Sequence, residues 1–320
     1  MKKTIREVAK KANVSVATVS RIFNSPEKVK DDTKKRVLEV IRKLKYSPHT
    51  IARSLAKRKT ELISVVFPEK EINAYYFYKL LTGIFEEVSA NNFNLLVERG
   101  EYEIGKFPVE GYIFVAPLKG SKPIMEAKKR NIKAVFINVR ERGVLFVDLD
   151  NVEAGYKITS YLIGLGHRKI LFIGGMKDNY NTIDRLKGYR KALLDFNIGE
   201  EYIVYGDYTV DSGYRLVKNV FAERKDITAI FACNDLMAIG VIRGLKELSI
   251  KVPDDVSVIG FDDIDITKTV DPPLSTFRQP FEEIGRKAVN LLFKEINNKR
   301  EKSLFLKGEL VIRDSTGGVR

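Results

Sequence analysis

The side chains that make and break bonds are sparse in this sequence and do not converge. His49 and His167 are the two histidines and lie far apart, so no Ser-His-Asp or Cys-His arrangement presents itself. Cys233 is the single cysteine, which leaves neither an intrachain disulfide nor a thiolate metal cluster. Asp262-Asp263-x-Asp265 has the look of a metal or carboxylate site, but no histidine accompanies it. Gly174-Gly175 follows a strand without completing G-x-G-x-x-G, which argues against a dinucleotide site. A different chemistry is available near the N-terminus. Val16 and Ala17, followed by Thr18, Ser20 and Arg21, would share the outward side of one short helix. Small apolar groups there suit thymine methyls, and a guanidinium can pair bidentately with guanine.

The elements that must position this set are legible around it. Thr4-Ile5-Arg6-Glu7 fits a capping box, and Ile5, Val8, Ala9 and Ala12 follow with helical spacing. Asn13-Val14 makes a tight turn, Ser15 is placed to cap a second helix, and Val19, Ile22 and Phe23 line its inner side. A third helix beginning near Asp31 or Asp32 would close the core with Val37, Val40, Ile41 and Leu44. This is the pattern of a helix-turn-helix. Its charge agrees: residues 1–60 hold 18 Lys and Arg against 5 Asp and Glu, whereas the other 260 hold 38 against 37. Nearly all of the net +14 therefore sits in the first fifth of the chain, as expected for a module that meets a polyanion.

Residues 4–24, TIREVAKKANVSVATVSRIFN, resemble the DNA-binding signature of the lactose/galactose repressor (LacI/GalR) family. The resemblance implies that Val16, Ala17 and Arg21 read the operator, with Ser15, Thr18 and Ser20 near phosphates and Thr4 also among the DNA-binding residues. Tyr46–Leu55, YSPHTIARSL, is similar to that family's hinge helix, in which Leu55 would wedge into the minor groove beside Ala52. Outside this resemblance Leu55 would read as a core leucine. His49 stands where the family commonly has Asn.

From Leu62 onward short β-branched runs alternate with helical stretches. Nine candidate strands fall at 63–67, 95–98, 112–116, 134–138, 145–148, 170–173, 202–205, 229–233 and 256–261, with helices such as Phe77–Ala90, Ala154–Leu165 and Asp235–Leu248 between them. That alternation predicts parallel sheets covered on both faces, and nine strands suit two lobes better than one twisted sheet. The family resemblance continues through Asp150-Asn151, Gly166–Ile170, Arg185-x-x-Gly188-Tyr189, Asn234-Asp235-x-x-Ala238-x-Gly240, Pro253–Asp263, Pro273–Thr276 and Arg313–Thr316. It implies two lobes of a periplasmic sugar-binding type. Arg185, Asn234 and Asp262 would line the cleft, Asp150 would lie across from them, and Tyr76 or Phe77 would stack on a sugar ring. Without it, Arg185 reads as a surface ion pair, Asn234 as a cap, and the two aromatics as core. Two departures stand out: only thirteen residues separate Val97 from Gly111, too few for a helical crossover with its loops, and Asn138 stands where the family commonly has Asp.

The resulting expectation is a small all-α helix-turn-helix domain joined to an α/β two-lobed, type I periplasmic-binding-protein-like effector domain. Its divisions would be 1–46 for the helix-turn-helix, 47–60 for hinge helix and linker, and 61–320 for effector binding and dimerisation. The N-lobe would take about 61–164 and 280–300, the C-lobe about 165–279 and 301–316. The expected role is a cytoplasmic repressor that binds a palindromic DNA operator as a homodimer under control of a small sugar or sugar derivative, with no cofactor and no metal. An enzyme on the same fold is disfavoured by the missing catalytic set. A plain sugar-binding protein is disfavoured by the basic module and by an N-terminus without a signal-peptide core. No run approaches the ~20 apolar residues that span a bilayer, and with no heptad repeat at the C-terminus a dimer is expected rather than a tetramer.

Overall fold

A computed structural model describes residues 4–24, 26–44, 60–68, 74–100, 104–117, 120–299 and 301–319. They divide between Glu61 and Leu62 into two compact units.

In the first unit, α1 (Ile5–Lys11) starts at the capping box, with Thr4 Oγ1 accepting from Glu7 N and Glu7 Oε2 accepting from Thr4 N, each at 3.4 Å. α2 (Val16–Asn24) follows a turn in which Asn13 takes a left-handed backbone, and α3 (Asp31–Leu44) packs across both. Val8, Ala9, Ala12, Val19, Ile22, Val37 and Leu44 form the core, flanked by half-buried Ile5, Val40 and Ile41. The periodicity of the sequence thus converts directly into the packed faces.

The second unit holds two parallel sheets. The first is six-stranded, ordered β11-β5-β4-β3-β1-β2, from β1 (Leu62–Phe67), β2 (Asn94–Arg99), β3 (Gly111–Val115), β4 (Ala134–Ile137), β5 (Phe146–Leu149) and β11 (Leu304–Leu306). α4 (Ala74–Ala90) and α10 (Phe281–Ile296) pack against its core of Ile63, Val65, Leu80, Ile84, Ile113, Val135, Ile284 and Leu292. α5 (Lys122–Arg130) lies with a second cluster around Phe114 and Phe136. The second sheet, β7-β6-β8-β9, comprises β6 (Ile170–Gly174), β7 (Tyr202–Tyr205), β8 (Ala229–Ala232) and β9 (Ser257–Ile259). Its helices are α6 (Asn151–Gly164), α7 (Tyr180–Asp195), α8 (Val210–Glu223) and α9 (Asp235–Glu247). β10 (Thr276–Arg278) and β12 (Glu309–Val311) pair antiparallel beside it.

Two of the sequence motifs owe their glycines to close helix packing. A Cβ on Gly188 of α7 would lie 2.2 Å from Val152 O of α6, and one on Gly240 of α9 would lie 1.9 Å from Val210 O of α8. Any side chain there would force the helices apart.

The observed lobes differ from the expected bounds at two places. α6 buries Ala154, Ile158, Leu162 and Ile163 in the core of the second sheet, so the N-lobe ends near Asp150 rather than at 164. β11 pairs in parallel with β5, so this part of 301–316 belongs to the N-lobe sheet. Both corrections have one cause: the chain crosses between lobes where a strand ends, and short strands such as β10, β11 and β12 carry too few residues to announce themselves. The shortened connection is as read. Among the described residues no helix separates β2 from β3, and half-buried Ile104 and Val109 pack on the Phe114 cluster in its place.

Candidate functional site

The first candidate site is the outward side of α2. Val16 is 41% exposed, and Ala17 and Arg21 are exposed as well. Arg21 makes no ion pair or hydrogen bond with another described residue, so its guanidinium is available to a ligand. Ser15 caps the helix: its Oγ accepts from Thr18 N at 3.0 Å and lies 2.9 Å from Thr18 Oγ1. Thr4 is committed to the capping box of α1, and Ser20 is half-buried. Thr4 and Ser15 thus also fix the helix ends. Ala52 and Leu55 lie outside the described residues.

The second candidate site forms where the carboxyl ends of the two parallel sheets face one another, the place such folds keep for ligands. Arg185, on α7, is 2% exposed. Its Nε donates to Asn151 Oδ1 at 2.9 Å, its Nη1 donates to the Cys233 carbonyl at 2.5 Å, and its guanidinium lies 3.4 Å over the Phe261 ring. It is therefore a buried, oriented cation and not a surface ion pair. Asp262 is buried and accepts from Gln279 Nε2 at 2.6 Å through Oδ1. Asn234 caps α9, with Oδ1 accepting from Met237 N at 2.9 Å, while its Nδ2 donates to the Tyr208 carbonyl at 3.0 Å. The cap reading and the cleft reading of Asn234 hold together.

Tyr76 is buried against Phe281, and its hydroxyl accepts from Asn138 Nδ2 at 2.6 Å. Phe77, half-buried, packs on Phe67, ring centres 4.3 Å apart, against the same N-lobe core of which Tyr76 is a buried member. Asp150 is half-buried and caps α6 by accepting from Glu153 N at 3.1 Å. The carboxyl that points toward Arg185 from this crossing is Asp148, whose Oδ1 accepts from Leu149 N and from Asn151 Nδ2. Asn151 thus links Asp148 of the N-lobe to Arg185 of the C-lobe.

Electrostatics reflect the dryness of this site. Burial pushes the Asp148 carboxyl up to about 8, outweighing its hydrogen bond from Leu149 and the attraction of Arg185. Asp262 is also raised by burial against the pull of Arg185, and Asp235 by burial and by the neighbouring Asp262. The phenols of Tyr76 and Tyr208 are raised, burial again being the main cause. Asp263 goes the other way: Arg313 and Arg278, at 2.6 and 2.7 Å, overcome its burial and lower it.

Four residues of this site were not singled out from sequence: Asn138, seen only as a departure, Asp148, Asn151 and Tyr208. Tyr208 hydrogen-bonds with Thr182 Oγ1 at 2.5 Å and donates to Asn179 Oδ1 at 3.1 Å, with its ring against Gly175. Asn138, Tyr208 and Asp262 all adopt positive φ, at 58°, 69° and 121°. Such backbone strain collects at binding sites but leaves little trace in a single sequence. Beside Asp262 and Gln279 the cleft opens into a cavity of about 440 Å³ edged by Tyr75, Lys79 and Arg278. Across the mouth, Tyr180 donates to Glu141 at 2.7 Å and Arg140 lies 3.5 Å from Asp184. Among the described residues no group of His, Cys, Asp and Glu could hold a metal ion, and no helix is long and apolar enough to cross a membrane.

Comparison with known proteins covers nearly the whole chain. Residues 4–49 match the bacterial regulatory proteins of the lacI family, and residues 159–316 match the periplasmic binding protein-like domain. Catabolite control protein A of Priestia megaterium is 34% identical over 93% of this chain and 94% of its own. The lac repressor dimer bound to operator and the anti-inducer ONPF superposes with a TM-score of 0.91 at 25% identity, over 99% of this chain and 100% of that one. The complex of the transcriptional regulator CelR with cellobiose gives 0.74 at 28% identity, covering 98% and 100%.

Proposed function

The chain belongs to the lacI family of bacterial regulatory proteins, and on that premise we propose that it is a homodimeric repressor of a near-palindromic operator, controlled by a small sugar. A helix-turn-helix reads one half-site, so two copies are needed for a palindrome. On α2, Val16 and Ala17 would meet thymine methyls and Arg21 a guanine, while the positive charge of residues 1–60 supplies the non-specific attraction to phosphates.

The single observation that carries the reading is the combination of an exposed Arg21, without an ion pair or hydrogen bond among the described residues, on a basic helix-turn-helix with a buried, oriented Arg185 in a second unit. The sugar supports itself on the cleft's mixture of one guanidinium, several carboxyls, amides and the phenols of Tyr76 and Tyr208, which together suit hydroxyl groups. The relative that holds cellobiose favours the same class. A second copy has a ready surface. α4 and the edge strand β2 expose Tyr78 (65%), Phe85 (58%) and Val97 around a groove of about 810 Å³. An apolar patch on a sheet edge is normally covered.

Control follows from closure. The Tyr180–Glu141 and Arg140–Asp184 contacts span the lobes, and an effector adds contacts to both sides of the cleft at once. It shifts DNA affinity only so far as it binds one lobe arrangement better than the other. The test is fluorescence anisotropy on a palindromic operator, titrated with salt and with a panel of sugars. Tight, sequence-selective binding with a steep salt dependence, moved by one sugar, supports the reading. Equal weak binding to random DNA, blind to every sugar, refutes it.

A further inference from the structure

We propose that two tyrosine–carboxylate latches, Tyr180 to Glu141 and Tyr75 to Asp265, hold the two lobes closed through protein contacts alone, so that closed is the resting arrangement. In the first latch the hydroxyl of Tyr180, at the start of α7, donates to Glu141 Oε2 at 2.7 Å. Tyr180 is 7% exposed, and its ring belongs to the N-lobe cluster with Val66, Phe114, Phe136 and Val139. A side chain of the C-lobe is thus part of the N-lobe core, and opening the lobes would draw an aromatic ring into water. One turn further along α7, on the same side of the helix, the buried Asp184 lies 3.5 Å from Arg140 Nη1. Consecutive residues of the N-lobe, Arg140 and Glu141, therefore engage positions i and i+4 of one C-lobe helix. Lys128 donates to Glu141 Oε1 at 2.9 Å and steadies the carboxylate that receives Tyr180.

The second latch runs the other way. Tyr75, at the start of α4 in the N-lobe, donates to Asp265 of the C-lobe, which also accepts from Lys268 Nζ at 3.4 Å. Asp265 is exposed, so this hydrogen bond is worth little alone. The buried Tyr180 ring and the buried Asp184 carry most of the closing energy. What the second latch adds is its place. Residues 138–142 follow β4 and α4 follows β1, with β3 between those strands. In the other sheet α7 follows β6 and Asp265 follows β9, with β8 between. Strands lie about 4.8 Å apart, so the two latches stand on the order of 10 Å apart across each sheet. A hinge motion about either one must stretch the other. For the control proposed above, and resting on that reading, the consequence is a cleft organised before its ligand arrives, which spares the ligand the cost of closing it. Operator affinity without effector is then that of the closed arrangement.

Pulsed dipolar electron paramagnetic resonance on the full chain tests the latches. Spin labels go on Met125→Cys of α5 and Leu194→Cys of α7, both exposed, while the native Cys233 is buried away from the reagent. Labelled chain is diluted into unlabelled chain, and native mass spectrometry shows the preparation free of small molecules. One narrow distance is expected. Tyr75→Phe/Tyr180→Phe keeps both rings and should lower the ratio of closed to open by about tenfold or more. Tyr180→Ala removes the ring as well and should make a longer distance the majority. A broad or double distance without these two changes overturns the proposal, and so does a distribution that neither variant moves. Circular dichroism of each variant confirms that the lobes themselves stay folded, and the double Phe variant decides the matter if the Ala variant does not fold. Operator anisotropy on the same samples separates the two readings: lobes that open with no change in operator affinity uphold the latches and refute closure as the means of control.

Discussion

The outward side of α2 and the interlobe cleft, the two sites proposed for partners, are built by opposite means. On α2 the key groups, Val16, Ala17 and Arg21, are exposed, and Arg21 has no described partner. In the cleft Tyr76, Arg185, Asn234 and Asp262 are all buried, each oriented by hydrogen bonds to its own protein. A long polyanion brings enough contacts to order free side chains on arrival. A small ligand brings few, so its site must be organised beforehand. The sharpest way to break this contrast is Asp262→Ala. Effector affinity should fall by about 3 kcal/mol, roughly a hundredfold, because a buried charge-assisted contact is lost. The operator-binding response to effector should vanish while the chain still binds DNA, as anisotropy with and without effector would report. An unchanged response would remove Asp262 from the site.

Arg21→Ala probes the other side. Operator affinity should drop by ~1–3 kcal/mol and preference should relax at one base pair, with random DNA little affected. An equal loss on both DNAs would mean that Arg21 touches phosphate, and the face would then position the protein without reading bases.

The same contrast explains how much could be read from sequence. The α2 face is local: one helix and a 3.6-residue period put Val16, Ala17 and Arg21 together, and the three helices of the first unit fall where their caps and apolar stripes put them. The cleft is non-local, assembled from ends of strands some hundred residues apart, so composition and period could not find it. The family resemblance pointed to Arg185, Asn234, Asp262 and Tyr76, and all four are buried. It pointed to Asp150 and passed over Asp148. Two residues apart, they would share a side of a continued strand, but β5 stops at Leu149. Asp150 then turns to cap α6, and Asp148 alone stays inward.

Asp148 gives the contrast a pH signature. Its carboxyl is near the ordinary Asp value of about 3.9 in the unfolded chain and is raised to about 8 in the fold. The folded state therefore holds a proton that the unfolded state has released between about pH 4 and pH 8. The stability this contributes is complete below about pH 4 and lost as pH rises through about 8, at no more than ~1.4 kcal/mol per pH unit. Urea unfolding of residues 62–320 at a series of pH values should show the decline. Asp148→Asn should flatten it, leaving the parts due to Asp235 and Asp262. An equally steep slope in the variant would place the proton elsewhere.

The smallest effect separates holding a helix from reading with it. Thr4 was expected among the DNA-binding residues, and with Glu7 it closes the α1 capping box through two long hydrogen bonds of 3.4 Å. Thr4→Ala should lower the stability of the first unit by ~1 kcal/mol or less, the usual worth of such a cap. If capping is its whole contribution, operator and random DNA should weaken by the same small factor, and the base preferences set by Arg21 should not move. A change in salt dependence by about one ion would show instead that Thr4 holds a phosphate contact as well, since each phosphate engaged releases close to one counterion. Melting of the first unit and a salt titration on the two DNAs together distinguish the roles, because a cap alters the first and a phosphate contact the second.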